Sequence, residues 1–224
     1  MQPTADRTFW SGARIRENLK EPKGLRIIEE PDPDPKRVIG AAYELSVGSE
    51  YYISSPSEGW SGTPAKKLGY KECVAIPPGQ FALLITREMV RMPKKSLGFF
   101  SVKSNLKWQG LVNVSGFHVD PGYCGRLLVA VYNAGPQQIQ LRQGDAAFPL
   151  WIADLDELAD PADARSDDEP IENLPIRVLN KIPGSSASPA ALDKRLSTLE
   201  LHFSIAKWVL AAVVTAWITG IFEK

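Results

Sequence analysis

The chain has 224 residues, of which 44% are hydrophobic, and its formal net charge is +0. This size is enough for one buried core with a small appendage, and the balanced charge gives no electrostatic reason to expect nucleic acid as a partner. Two cysteines, Cys73 and Cys124, offer neither a disulfide framework nor a paired-thiol metal motif and are expected to be buried. The histidines His118 and His202 are not spaced to complete a ligand set with them, so no metal site is predicted.

The first predicted element is a short N-terminal helix within residues 9–20. Ser11 is suited to the N-cap position, and Trp10, Ile15 and Leu19 are the apolar positions of this segment. The N-terminus lacks a basic segment followed by an apolar core, so no secretory signal is predicted.

A β domain is predicted over residues 1–155. Beyond the N-terminal helix, short apolar runs recur about every ten residues from Cys73 onward, with Pro/Gly turns between them, and this spacing is typical of an all-β sandwich or barrel. Residues 156–190 are rich in acidic residues, Pro, Ala and Ser and are predicted to be a linker. Within that linker, residues 173–182 are expected to form a strand-like segment that packs back on the domain.

Residues 191–224 are predicted to form one helix that continues into a membrane anchor. Its apolar residues follow alternating four- and three-residue steps, which is the a/d repeat of helices that pair along one seam. The residues of this repeat are Leu192, Leu196, Leu199, Phe203, Ala206, Leu210, Val213 and Trp217. The part over residues 203–222 is long and apolar enough to cross a bilayer, and the basic residues before it place the β domain in the cytoplasm. The alternative is an amphipathic helix packed on its own domain.

Four segments resemble the dCTP deaminase branch of the dUTPase-like superfamily. They are Ala41 to Leu45, Pro78 to Pro93, Asp120 to Tyr123 and Tyr132 to Gly135, and the resemblance covers roughly residues 9–155. It implies a distorted, jelly-roll-like β-barrel that assembles as a homotrimer, with nucleotide sites between the subunits.

Three motif positions of the family are changed in this chain, and the resemblance implies that two of them, Trp108 and Ala130, are catalytic. In the family's Arg-Ser-Ser/Thr-x-x-Arg-x-Gly-Leu motif, the first arginine is replaced by Lys103 and the second by Trp108. The catalytic glutamate after the Asp-Pro-Gly turn is replaced by Ala130. An alanine cannot transfer a proton, and losing a general acid/base typically costs about 10²- to 10⁴-fold in rate.

The resemblance also implies a set of nucleotide-binding residues. They are Lys103, Ser104, Asn105, Gly116, Asp120 and Tyr123. Asp120 matches the aspartate that orients the attacking water in dUTPases, so it is the catalytic candidate if the site is active, and Mg²⁺ would then accompany a nucleoside triphosphate. Pro149 and Glu44 replace a glutamine and an aspartate of the dUTPase motifs. Asp120 and Tyr123 are equally compatible with a turn and a core aromatic residue.

Three hypotheses follow from these observations. The favoured one is a membrane-anchored homotrimer that binds a deoxynucleotide or related ligand without deaminating it, as a nucleotide sensor or effector would. The second is an active enzyme of nucleotide metabolism, a dCTP deaminase or dUTP pyrophosphatase. The third is a trimerisation module that only clusters membrane helices.

Overall fold

The computed structural model describes residues 9–54, 65–114, 117–157, 170–179 and 189–222. The chain divides into two units, Met1–Ser186 and Ala187–Lys224. The first unit is mainly β with a short N-terminal helix, and the second is a helix.

The described residues of the first unit contain twelve strands and three α-helices. The strands are β1 (Ile28–Glu30), β2 (Val38–Ile39), β3 (Ala42–Ile53), β4 (Lys66–Lys67), β5 (Cys73–Ile76), β6 (Phe81–Arg91), β7 (Ser96–Phe100), β8 (Leu111–Asn113), β9 (His118–Val119), β10 (Cys124–Asn133), β11 (Ile139–Arg142) and β12 (Ala146–Asp154). The helices are α1 (Gly12–Asn18), α2 (Ser104–Trp108) and α3 (Ile176–Leu179), with a 3₁₀ turn at Pro35–Arg37.

Strand β3 joins the two halves of a curled antiparallel sheet. The strand order is β8-β10-β6-β3-β12-β7-β9, with β1, β2 and β4 added at the sides and β5 paired with β11 separately. The first half of β3 pairs with β12 and the second half with β6, with a register shift between Val47 and Tyr51. Gly48 lies at this shift, where an added Cβ would be 2.6 Å from the Ile85 carbonyl oxygen. Such an irregularity bends a strand, and the resulting barrel-like sheet confirms the predicted fold class.

A buried carboxylate lies beside this bend. Glu88 on β6 is 1% exposed and accepts hydrogen bonds from the Ser46 backbone N–H (2.7 Å) and the Ser46 hydroxyl (2.6 Å) on β3. The backbone carbonyl of Glu88 accepts a bond from the Thr86 hydroxyl, whose oxygen accepts one from the Leu127 N–H. These bonds connect β3, β6 and β10.

Helix α1 closes one end of the main core, as the sequence predicts. Trp10, Ile15 and Leu19 are buried, and the Ser11 hydroxyl caps the helix by accepting a hydrogen bond from the Arg14 N–H. The segment is fixed to β12 through Asp154, whose carboxylate accepts hydrogen bonds from the Trp10 indole, the Arg14 guanidinium and the Ser96 hydroxyl.

Two local predictions are wrong. Cys73 is exposed and Cys124 is half-buried, whereas the sequence predicts that both are buried. Cys73 begins β5, and the inward positions of that strand belong to Val74 and Ile76. The strand predicted over residues 173–182 is, in its described part, the short helix α3, which lies against the sheet.

The second unit contains α4 (Pro189–Phe222), a helix of 34 residues. Within the described residues, one helix is long and apolar enough to cross a membrane: the segment Arg195–Thr215, with a mean hydropathy of 1.3 and none of it buried in the chain. It meets this criterion by length and composition.

We expect Asp154→Asn to lower the free energy of unfolding by about 1–3 kcal/mol, because three donors lose an ionised acceptor. Burial by itself raises the pKa of Asp154, but the hydrogen bonds from Trp10, Arg14 and Ser96 outweigh it and lower the pKa below its ordinary value of 3.8. A lowered folded-state pKa stabilises the fold above the unfolded-state pKa, and this stabilisation is lost as the pH falls through the folded-state pKa.

The measurement is urea unfolding of the full chain in detergent, followed by tryptophan fluorescence at pH 7 and at lower pH. Asp32→Asn is the matched control, since its carboxylate also has a pKa lowered by Arg26 but is exposed to solvent and should change stability little. Equal effects of the two variants would contradict the anchoring role of Asp154.

Candidate functional site

The predicted phosphate-side residues lie at the start of α2, where Lys103 already has a partner. The Lys103 Nζ atom is 2.6 Å from Glu44 Oε1, and the two side chains are 30% and 17% exposed. Glu44 lies on β3 opposite Pro149 of β12. The ammonium group is therefore neutralised by a carboxylate of the same chain, and an incoming anion must compete with it.

Ser104 and Asn105 form the first turn of α2 and are exposed. Lys103 is the N-cap residue of this helix, and its side chain makes no capping hydrogen bond. Gly116 lies outside the described residues. The chain thus places Lys103, Ser104 and Asn105 together at the surface.

Asp120 lies in the turn after β9 and contacts a histidine. His118 Nε2 is 3.2 Å from Asp120 Oδ1, with side-chain exposures of 57% and 28%. The Asp120 carbonyl accepts a hydrogen bond from the Tyr123 N–H, which closes the Asp-Pro-Gly-Tyr turn. Asp120 is thus accessible to a ligand from solvent, with His118 as a neighbour.

Tyr123 interacts mainly with its own chain. Its ring packs against the main core, and its hydroxyl donates a hydrogen bond of 2.5 Å to the Arg126 carbonyl. Burial raises the pKa of the Tyr123 phenol well above its ordinary value, so the hydroxyl is a neutral donor at physiological pH. The ring is half-buried, and one part of it faces solvent.

The candidate residues form two groups, which lie near opposite ends of strand β12. Val119 pairs with Gly98 of β7, so Asp120 lies beside the segment of β7 that faces Ala153 of β12. The Lys103 N–H instead donates to the Ala147 carbonyl near the start of β12. Ala147 and Ala153 are on the order of 20 Å apart along an extended strand. A compact ligand therefore cannot contact both groups of one chain.

Ala130, which the sequence resemblance matches to the family's catalytic glutamate, lies in a second apolar cluster. It is 8% exposed and packs on the outer face of β6 and β10 with Tyr52, Leu83, Ile85 and Leu174. This cluster also contains Leu179 and the half-buried Ile171 and Val178. Ala130 is therefore part of a hydrophobic face.

Residues 170–179 cover that face and are held there by backbone hydrogen bonds. The Arg126 N–H donates to the Ile171 carbonyl (2.7 Å), and the Leu174 N–H donates to Glu50 Oε2 (2.8 Å). Glu50 is itself buried. We call residues 170–179 the covering segment.

Exposed apolar residues lie at and after Trp108, which the sequence resemblance matches to the family's second arginine. Trp108 is 85% exposed at the end of α2, and the next residues along the chain include the exposed Val112, Val114 and Phe117. Strand β8 lies at one end of the sheet order. Exposed apolar side chains beside a sheet edge are typical of a surface that another protein covers.

Sequence reasoning missed Glu44 as the partner of Lys103. It expected residues 173–182 to pack back on the domain, but it did not predict that this segment covers Ala130, and the helix Ile176–Leu179 is too short for its spacing to show this. Within the part of the chain that the structure describes, no three His, Cys, Asp or Glu side chains are grouped so that they could hold a metal ion.

Comparison with solved structures identifies the fold of the β unit. The chain aligns with the 2′-deoxycytidine 5′-triphosphate deaminase of Agrobacterium tumefaciens with a TM-score of 0.53 and 17% identity, over 70% of this chain and 52% of that one. The curled sheet thus belongs to the class of folds represented by this deaminase.

The sequence places the chain in a family. The profile of the family described as dCTP deaminase-like matches residues 9–154, and the chain belongs to this family. It is 30% identical over 148 residues to a dCTP deaminase of Tolumonas auensis, covering 58% of this chain and 75% of the relative. It is 33% identical over 107 residues to a dCTP deaminase of Thermococcus kodakarensis, covering 47% and 62%.

We expect Leu174→Ala to loosen the covering segment. Truncating a buried leucine costs about 2–5 kcal/mol, so local opening and trypsin cleavage after Arg177 should become at least about tenfold faster. Cleavage is followed by mass spectrometry of the native full chain in detergent. Ile176→Ala is the control, since its side chain belongs to the same segment but is exposed. If both variants are cut at the wild-type rate, Leu174 does not hold the segment.

Proposed function

We propose that this chain is a membrane-anchored, homotrimeric member of the dCTP deaminase-like family that binds a nucleotide or deoxynucleotide without deaminating it. The observation that carries this proposal is Ala130, which replaces the expected catalytic glutamate and is buried beneath the covering segment. A nucleotide sensor or effector is the role that fits such a binder on a membrane.

The environment of Ala130 opposes deamination chemistry. Removing an amino group from a base requires proton transfer by a positioned acid/base, and alanine has no ionisable group. Tyr52, Leu83 and Leu174 pack in the same cluster, so apolar side chains surround Ala130 among the described residues. The carboxylate of Glu50 accepts a hydrogen bond from the Leu174 N–H in the covering segment. Trp108 also lacks the charge of the arginine that it replaces, and so cannot stabilise a developing negative charge as that arginine could.

The support for nucleotide binding is the retention of two partly exposed groups of polar residues. Lys103 can meet a phosphate as a point charge, and Asp120 and Tyr123 occupy positions matched to the sugar side of the family's sites. These groups are too far apart in one chain for one compact ligand. A site assembled between subunits, as the family resemblance implies, would bring one group from each of two chains together.

The exposed apolar surface around Trp108 supports the trimer. A tryptophan that is 85% exposed next to Val112 and Val114 favours association with a partner that removes this surface from water. In the proposed trimer, that partner is another copy of the chain.

We expect the full chain in detergent to bind at least one of dCTP, dUTP and dTTP in isothermal titration calorimetry. Lys103→Ala should weaken binding by about tenfold, because a charged hydrogen bond to phosphate is lost. Glu44→Gln should strengthen it, since the competing carboxylate of the ion pair is removed. Lys107→Ala is the matched control, as this lysine is exposed on the same helix.

After the titration, chromatography of the nucleotides recovered from the calorimeter cell should show that dCTP is unchanged. Conversion of dCTP to dUTP would overturn the non-deaminating part of the proposal. No heat of binding at millimolar concentrations of all three nucleotides would overturn the binding part and favour the trimerisation module. Release of pyrophosphate that is abolished in Asp120→Ala would assign the chain as a hydrolase instead.

The proposed membrane location depends on α4. Its segment Arg195–Thr215 is long and apolar enough to cross a membrane, and lipid would cover the part beyond Lys207, which is apolar on all sides. We expect truncation after Ser188 to move the protein from the membrane pellet to the soluble fraction, as measured by ultracentrifugation and immunoblotting. A full-length chain that is soluble and monodisperse without detergent would contradict the anchor.

A further inference from the structure

Helix α4 carries one continuous row of exposed apolar side chains. The row follows alternating three- and four-residue steps, and we call it the α4 seam. Its large described members are Leu196, Leu199, Phe203, Leu210, Val213 and Trp217. Each of these side chains is between 55% and 69% exposed, so packing within α4 leaves the seam open.

The surroundings of the seam change along the helix. Before Lys207, the residues beside the seam are mostly polar or charged: Arg195, Ser197, Thr198, Glu200, His202 and Ser204, with Leu201 and Ile205 as the apolar exceptions. Lipid cannot cover this part without burying charges, which is costly. Beyond Lys207 the helix is apolar on all sides. The seam therefore crosses from a polar to an apolar environment without changing its spacing.

A helix with the same seam is the partner that fits both parts. An a/d row with polar flanks packs by inserting its side chains between those of a facing helix with the same repeat. Another copy of α4 supplies this repeat over the same length, including the apolar part. A membrane surface would cover only the second part.

The charges beside the seam favour a parallel, in-register arrangement. If Leu196 and Phe203 are a positions and Leu199 is a d position, Arg195 occupies a g position and Glu200 the e position of the next heptad. In parallel coiled coils a g residue faces this e residue of the neighbouring helix, so opposite charges meet between copies. The next such pair, His202 with Lys207, has no opposite charges, so the register depends on Arg195 and Glu200.

We propose that α4 pairs with α4 of other copies of this chain, parallel and in register along the α4 seam, with Arg195 of one copy next to Glu200 of another. This inference does not require that the β unit binds a nucleotide. Its parallel direction rests on the proposed membrane anchor, because copies inserted through the same helix enter the membrane in the same direction.

Disulfide cross-linking of the full chain in membranes tests the pairing. In a Cys73→Ser, Cys124→Ser background, Leu199→Cys places a thiol on the seam, in the polar part where an oxidant has access. Ser197→Cys places the matched control thiol on the outer face of the same turn. We expect the Leu199→Cys chain to form dimers under copper-phenanthroline oxidation at least about tenfold faster than the Ser197→Cys chain, because disulfides require Cβ atoms about 4 Å apart.

Charge exchange tests the register. In the Leu199→Cys chain, Arg195→Glu or Glu200→Arg alone places like charges together and should lower the cross-linking yield about twofold. The double variant restores the opposite charges in the parallel arrangement and should recover the yield. Equal rates for the two thiol positions, or no cross-link at Leu199→Cys, would overturn the pairing. Failure of the double variant to recover the yield would overturn the register. Failure of the membrane anchor is distinguishable, since the protein would then be absent from the pellet.

Discussion

The bend in β3 is the constraint on which the β unit depends. Gly48 permits close contact with β6, and the buried carboxylate of Glu88 fixes that contact through two hydrogen bonds from Ser46. A buried carboxylate is stable only with such donors. Strand β3 pairs with β12 on one side of the bend and with β6 on the other. The bend therefore determines how the strands beside Lys103 are oriented relative to the face that contains Ala130.

The elements that sequence reasoning predicted well are those with local signals. The N-terminal helix has its cap at Ser11 and its apolar residues at helical spacing, and the short runs between Pro/Gly turns became strands. The errors concern short segments with few such signals. Cys73 is the first residue of a strand, where alternation can begin on either face, and the helix Ile176–Leu179 is too short for its periodicity to exclude a strand.

The chemistry of the site was predictable only where it depends on the identity of a residue at a motif position. Ala130 and Trp108 lack the required functional groups whatever their surroundings. The surroundings themselves are long-range features. Lys103 meets Glu44 from a distant strand, and the Leu174 N–H binds the carboxylate of Glu50 across 124 positions of sequence. A single sequence without aligned relatives carries no signal for such pairs.

The ion pair between Lys103 and Glu44 also sets a threshold for ligand charge. An anion that binds Lys103 must displace the Glu44 carboxylate, which is 2.6 Å away and only 17% exposed. When one phosphate oxygen replaces one carboxylate oxygen, the number of ion pairs therefore does not increase. A singly charged anion gains almost nothing from this exchange and also meets the repulsion of the displaced Glu44. A ligand with several negative charges can still bind favourably if its other charges pair with a second cation, on this chain or on a neighbouring one. In the proposed nucleotide site, the pair would therefore favour ligands with several negative charges over singly charged metabolites.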